Sequence, residues 1–175
     1  KRSYDIQRID NLPGAMVIPP QEVLERIRQD RLDVKAARAV FSEQEDALIN
    51  GFSWPVWGRI SGIYGSQRIL NGKPRQPHYG IDIAAASGLA VRAPADGTIV
   101  MAKDLYFTGG TIIIDHGFFV NSTYSHLTQM ISPVGTHVKR GDIIGTVGST
   151  GRSTGPHLDW RINWKQKRLD PLLLA

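Results

Sequence analysis

A chain of 175 residues suits one domain with an appendage, and 41% hydrophobic with 21% charged residues is the balance of a globular protein. The absence of cysteine excludes disulfides and thiolate metal sites, so any metal must be held by nitrogen and oxygen. A net charge of +5 favours an anionic partner such as nucleic acid, anionic lipid or an acidic envelope polymer.

The basic residues are scattered and form no nucleic-acid-binding motif, which sets nucleic acid aside. No run approaches the roughly 18 apolar residues of a membrane span, and no secretory signal pattern is visible. The chain opens at Lys1 without methionine, so a mature or trimmed form is expected, its targeting segment lying outside this sequence.

Lys1 to Pro20 reads as an extended lead-in, closed by Pro19-Pro20, which disfavour helix. From Gln21 to about Leu48, apolar residues recur at helical spacing (Val23, Leu24, Ile27, Val34, Ala37, Val40, Phe41) with charges between them. One or two short helices are expected there, forming an arm with a narrow apolar stripe that must dock. After Asn50-Gly51 the composition changes to glycine, β-branched residues and short alternations. The expected division is therefore an arm at 1–50 and a β domain at 51–175.

Strand-like runs follow at Arg59–Ile63, Gly80–Ala84, Ala90–Ala93, Thr98–Ala102, Thr111–Asp115, Val120–His126, Asp142–Val147 and His157–Trp164, with turn signals between them. Such spacing predicts a mainly β fold, a small and mostly antiparallel sheet or sandwich. Arg68 to Pro77 is polar and turn-rich and reads as a loop walling a groove beside His78.

The chemistry-bearing residues sit within this pattern. On a strand, His157 and Asp159 share one face, their backbones about 6.6–6.8 Å apart, while Leu158 and Trp160 point to a core. His78 and Asp82 are four apart, which a straight strand spreads over roughly 13 Å. To meet at one metal, whose ligand distances are about 2 Å, the chain must bend between them, and Gly80 is where it can. His126 ends an alternating strand and is expected on the face of Tyr124. His116 and His137 are expected in structural or surface roles.

Taken together, several segments resemble the lysostaphin/LytM-type zinc metallopeptidases in family order: Ile63-Tyr-Gly65, His78-Tyr-Gly-Ile-Asp82, Val91 to Gly97, Ile113 to Gly117, Tyr124-Ser-His-Leu127, Val138 to Gly145 and Val147 to Leu158. The match covers the chain from Gly58 onward and omits the arm. The resemblance implies a duplicated-hybrid-motif β domain with a groove across its sheet. It also implies one zinc ion, or another divalent metal, held by His78, Asp82 and the residue at Asp159. His126 and His157 are implied as the catalytic pair handling water and oxyanion. The sequence departs from the family at two places: Asp159 stands where a second histidine completes His-x-His, and Gln67 stands where arginine is usual, with Arg68 next to it.

The implied activity is hydrolysis of peptide cross-links or stem peptides of peptidoglycan, in the periplasm or cell envelope. The alternative is a LytM-type scaffold that binds peptidoglycan or regulates another wall hydrolase. Neither a nucleic-acid partner nor a membrane span is expected.

Overall fold

Apolar–polar alternation in this chain sorts side chains onto two faces of a sheet. The computed structural model describes residues 5–175; residues 1–4 of the expected lead-in lie outside the described residues. Its strands are β1 (Ile6–Ile9), β2 (Arg59–Gly62), β3 (Gln67–Leu70), β4 (Lys73–Pro74), β5 (Ile81–Ala84), β6 (Ala90–Arg92) and β7 (Gly97–Leu105). Then come β8 (Gly109–Asp115), β9 (Val120–Leu127), β10 (Gln129–Met130), β11 (His137–Val138), β12 (Ile143–Thr146), β13 (His157–Trp164) and β14 (Lys167–Leu169).

The large antiparallel sheet runs β11-β7-β8-β9-β13-β5-β2, with β14 added to the end of β13. A smaller sheet, β10-β12-β6, covers one of its faces. Val91 and Ile144 from the small sheet join Ile83, Ile112, Tyr124, Leu158 and Trp160 from the large one in a single core, all of them without exposed surface. The mainly β, two-layer architecture expected from the alternation is what the chain forms.

The helices are α1 (Gly14–Val17), α2 (Leu24–Ala37) and α3 (Asp46–Asn50). Ile112 and Ile114 of β8 face the main core, so Ile113 faces the opposite side, where it meets Met101, Leu105, Val34 and Ala37. The apolar stripe of α2 thus docks on the face of the sheet that the core leaves bare. Arg26–Asp104 at 2.7 Å and Lys103–Asp33 at 2.5 Å rim this contact. Beyond α2, Phe41 packs on Phe118 and Phe119, and Ala47 of α3 enters the main core beside Phe52.

Two segments differ from expectation. Residues 68–77 are not all loop: β3 and β4 form a hairpin whose turn, Asn71-Gly72, has φ of 46° and 76°. Positive φ at both turn positions is what Asn-Gly supplies, and its twist suits a tight hairpin. The lead-in is also partly strand, because β1 pairs in parallel with β3, from Ile6–Gln67 to Ile9–Leu70. Polar edge strands bury too little to show an alternation.

His116 is buried, as a structural histidine should be. Its Nδ1 donates to the Asp96 carbonyl at 2.7 Å, and its Nε2 accepts from Ser122 Oγ, which accepts in turn from Tyr124. Burial pushes its pKa down to about 4. The unfolded chain therefore binds a proton that the fold refuses, and stability is lost as pH falls from about 6.5 towards 4. This one group is expected to remove about 3 kcal/mol over that window, read from urea unfolding at pH 7 and pH 4. In His116→Asn that part of the slope should vanish; an unchanged slope would assign it to other groups.

Candidate active site

The bare face of the large sheet is built by register. Asp82 on β5 and Asp159 on β13 are direct cross-strand partners, as are Asp159 and Ser125 on β9. Antiparallel neighbours lie about 4.7–4.9 Å apart, so two carboxylates on one face are forced together. Glycine makes room for them: a Cβ on Gly62 would come within 2.4 Å of Asp82 Oδ2, and one on Gly80 within 2.5 Å of Arg161 and 2.6 Å of the Trp160 carbonyl. With no side chain at Gly80, the chain turns closely over β13 and brings His78 back towards Asp82.

His78, Asp82 and Asp159 each offer a donor atom, and these atoms lie within 4.8 Å of one another; all three residues are buried. His78 Nε2 is 3.1 Å from Asp82 Oδ1. Both ring nitrogens of His78 and Asp82 Oδ1 are buried without a hydrogen-bond partner. Unpartnered buried donors and acceptors are rare and costly, and converging lone pairs of nitrogen and oxygen are what a divalent cation satisfies. The residues present therefore fit a metal.

Each carboxylate also meets an arginine. Arg68 donates to Asp82 Oδ2, leaving Oδ1 turned to the site, and Arg161 grips Asp159 through Nε to Oδ1 at 2.8 Å and Nη2 to Oδ2. Burial alone would raise both carboxyl pKa values. For Asp82, the His78 and Arg68 neighbours outweigh it and hold the group low; for Asp159, the charge of Arg161 does so and holds it well below the usual range. Hydrogen bonds to a ligating carboxylate orient it, since each oxygen keeps a second lone pair.

His126 and His157 stand side by side, ring centroids 4.7 Å apart. His126 Nδ1 donates to the Thr150 carbonyl at 2.7 Å and His157 Nδ1 to the Gly155 carbonyl at 2.8 Å. A carbonyl only accepts, so these contacts fix the proton on Nδ1 and leave each Nε2 free. Burial, with His157 beside it, pushes His126 down to about 4 against the pull of Asp159. Together with Asp82, both histidines line a groove of about 390 Å³, walled on one side by Gln7 to Asp10 of the lead-in.

His126 does not share a face with Tyr124. Tyr124 is in the core, whereas His126 faces the groove. The cause is a left-handed backbone at His126, φ 66°, pinned by its N–H to the Thr108 carbonyl at 2.8 Å. Such a conformation costs of order 1–3 kcal/mol and persists only where the surroundings impose it. It breaks the alternation and turns the imidazole round. Arg161, two residues after Asp159 on β13, lies on the same face, and no motif in the sequence marks it. His137 is exposed on β11 and takes no part.

Three buried oxygen and nitrogen donors beside two histidines with free Nε2 atoms, on one face of an antiparallel sheet, are of the class that a hydrolytic metal centre needs. The chain belongs to peptidase family M23, whose model matches residues 76–171. It is 38% identical over 120 residues to the DD-carboxypeptidase/endopeptidase Mpg of Neisseria meningitidis serogroup B, covering 69% of this chain and 28% of that protein. It is 36% identical over 132 residues to the murein hydrolase activator NlpD of Salmonella dublin, covering 75% of this chain and 33% of that protein. Among solved structures, the catalytic domain of the antimicrobial peptidase lysostaphin from Staphylococcus simulans superposes with a TM-score of 0.60 at 32% identity, covering 66% of this chain and 90% of that one. The chain thus spans about a third or less of the length of these two curated relatives.

Proposed function

We propose that this chain is a metal-dependent endopeptidase domain acting on peptide cross-links or stem peptides of peptidoglycan, in the periplasm or cell envelope. The observation that carries the reading is the convergence of His78, Asp82 and Asp159 within 4.8 Å, beside the free Nε2 atoms of two histidines. These three residues are the proposed ligands of one divalent ion, zinc by its acceptance of mixed nitrogen and oxygen donors. When bound, such an ion polarises a scissile carbonyl and acidifies water. The chain's own residues do the rest. Neutral His126 accepts the proton of an attacking water through Nε2, and His157, whose Nε2 faces the same groove, donates to the developing oxyanion once protonated. Arg68 and Arg161 hold the two carboxylates in place.

Elemental analysis of the purified chain beside a muropeptide digest tests this. One equivalent of divalent metal with new cleavage products is expected; neither appearing would refute the endopeptidase.

A second reading has one observation in its favour. Asp82 and Asp159 are each already paired with a buried or half-buried arginine, so their charge is balanced without an ion. A scaffold that binds peptidoglycan or regulates another wall hydrolase would show substrate binding without metal or products; the Salmonella relative is named a murein hydrolase activator.

Within residues 1–50, the helical arm from Gln21 to Leu48 is proposed to regulate or anchor the 51–175 peptidase domain. A chain starting at Gly51 is expected to remain folded but less stable, losing roughly 1.5–3 kcal/mol for each apolar side chain fully uncovered, with Leu105 and Ile113 the first of these. Loss of cooperative thermal unfolding in that truncation would make the arm part of the fold.

A further inference from the structure

Past Asp159, the groove face of β13 continues with Arg161, and the floor becomes strongly cationic. Arg161 on β13, Arg168 on β14 and Arg38, just beyond α2, converge on a cavity of about 160 Å³ between helix and sheet, where the hydroxyls of Thr123 and Ser125 also line it. The carboxylate at this spot, Asp159, has both oxygens engaged by Arg161. Arg168 donates to Asn163 Oδ1 and Arg38 to Thr123 Oγ1 at 3.3 Å; among the described residues neither meets an acid.

Two polar atoms here are buried with no partner, Arg38 Nε and Ser125 Oγ, and Ser125 has no exposed surface at all. Burial and the neighbouring Arg168 and Arg161 push the Arg38 guanidinium down to about 9. Like charges gathered in a low-dielectric cavity are costly unless an opposite charge joins them. Guanidinium forks and hydroxyls are also the donors that bind planar or tetrahedral oxygen anions best.

We propose that this cavity is an oxyanion site, seating a carboxylate or a tetrahedral anion against Arg38 and Arg168, with Arg161 and Ser125 Oγ facing it. Ser125 is the cross-strand partner of Asp159, and Thr123 that of Arg161. The site therefore begins beside the candidate metal ligand, at Ser125, and extends to Arg161, two residues or roughly 7 Å further along β13. A separate cavity of about 500 Å³ is lined by His78, Arg161 and Arg168, so one candidate metal ligand and two of the site's arginines border the same space. An extended peptide there would carry its carboxylate within about two residues of the scissile bond. That last assignment rests on the peptidase reading; the oxyanion site itself does not.

Sulfate is the probe, titrated into the full, metal-free chain at constant ionic strength and followed by calorimetry and thermal unfolding. Saturable binding of one sulfate is expected, weakened about tenfold or more in Arg38→Met and separately in Arg168→Met, the loss of one charge-assisted contact. Arg140→Met, whose partners are Asp46 and the Gly51 carbonyl, should bind as the parent does. Absence of saturable binding, or unchanged binding in both folded variants, overturns the site. Competition then separates the sources. Sulfate that inhibits muropeptide cleavage competitively, and ceases to in Arg38→Met, marks the seat of a substrate carboxylate; sulfate that binds without competing marks a free-anion site. A chain that cleaves nothing still reports on sulfate, so failure of the peptidase reading and failure of the oxyanion site are told apart.

Discussion

Asp159→Ala is expected to release the divalent metal and to destabilise the fold by about 3–5 kcal/mol, the cost of stranding one partner of a buried ion pair. Asp159 is 1% exposed, and its two oxygens are the anchor of Arg161. Without it, the guanidinium faces Arg38 and Arg168 with no counter-charge of its own. Asp159→His separates the two effects. Imidazole is a softer ligand than carboxylate and adds no second negative charge, so zinc binding should tighten while the lost Arg161 pair lowers stability. Metal titration beside urea unfolding reads both. If Asp159→Ala keeps zinc at unchanged affinity, Asp159 is no ligand and the scaffold reading takes precedence.

Removing either histidine of the groove should leave metal content intact and reduce turnover by about 10²–10⁴-fold, the usual worth of a positioned acid or base. His157→Ala tests this directly. His126 is better replaced by asparagine, because its φ of 66° is one that alanine adopts poorly and asparagine tolerates. Metal analysis and muropeptide turnover on the same preparations separate the roles: a variant that loses metal with activity would place its histidine among the ligands.

Much of the fold was legible because burial imposes a period. Leu158, Trp160 and Ile162 alternate with His157, Asp159 and Arg161, and the sequence shows which face is which. The β3–β4 hairpin announced itself only through Asn71-Gly72, since its strands are short and mostly polar. Strand alternation puts His126 on the face of Tyr124, and nothing local marks the left-handed residue that turns it away; a contact with Thr108, eighteen residues upstream, sets it. The arginine partners escaped for a different reason. Arg161 lies in plain view two residues after Asp159, and Arg68 stands beside the position where the family has arginine, but its reach from β3 to Asp82 on the large sheet becomes visible only when the two sheets are assembled.

The strand order also sets a sequence of events during folding. β13 is among the last strands synthesised, yet it is inserted between β9 and β5, and it carries His157, Asp159 and Arg161. A nascent chain ending before residue 157 holds His78 and Asp82 on one side of a gap and His126 on the other. Pairing across such separations is slow, because loop closure must precede any gain in contacts. On the proposed peptidase reading, the centre is complete only when β13 closes the gap between β9 and β5, and a chain clipped before β13 lacks His157 and Asp159.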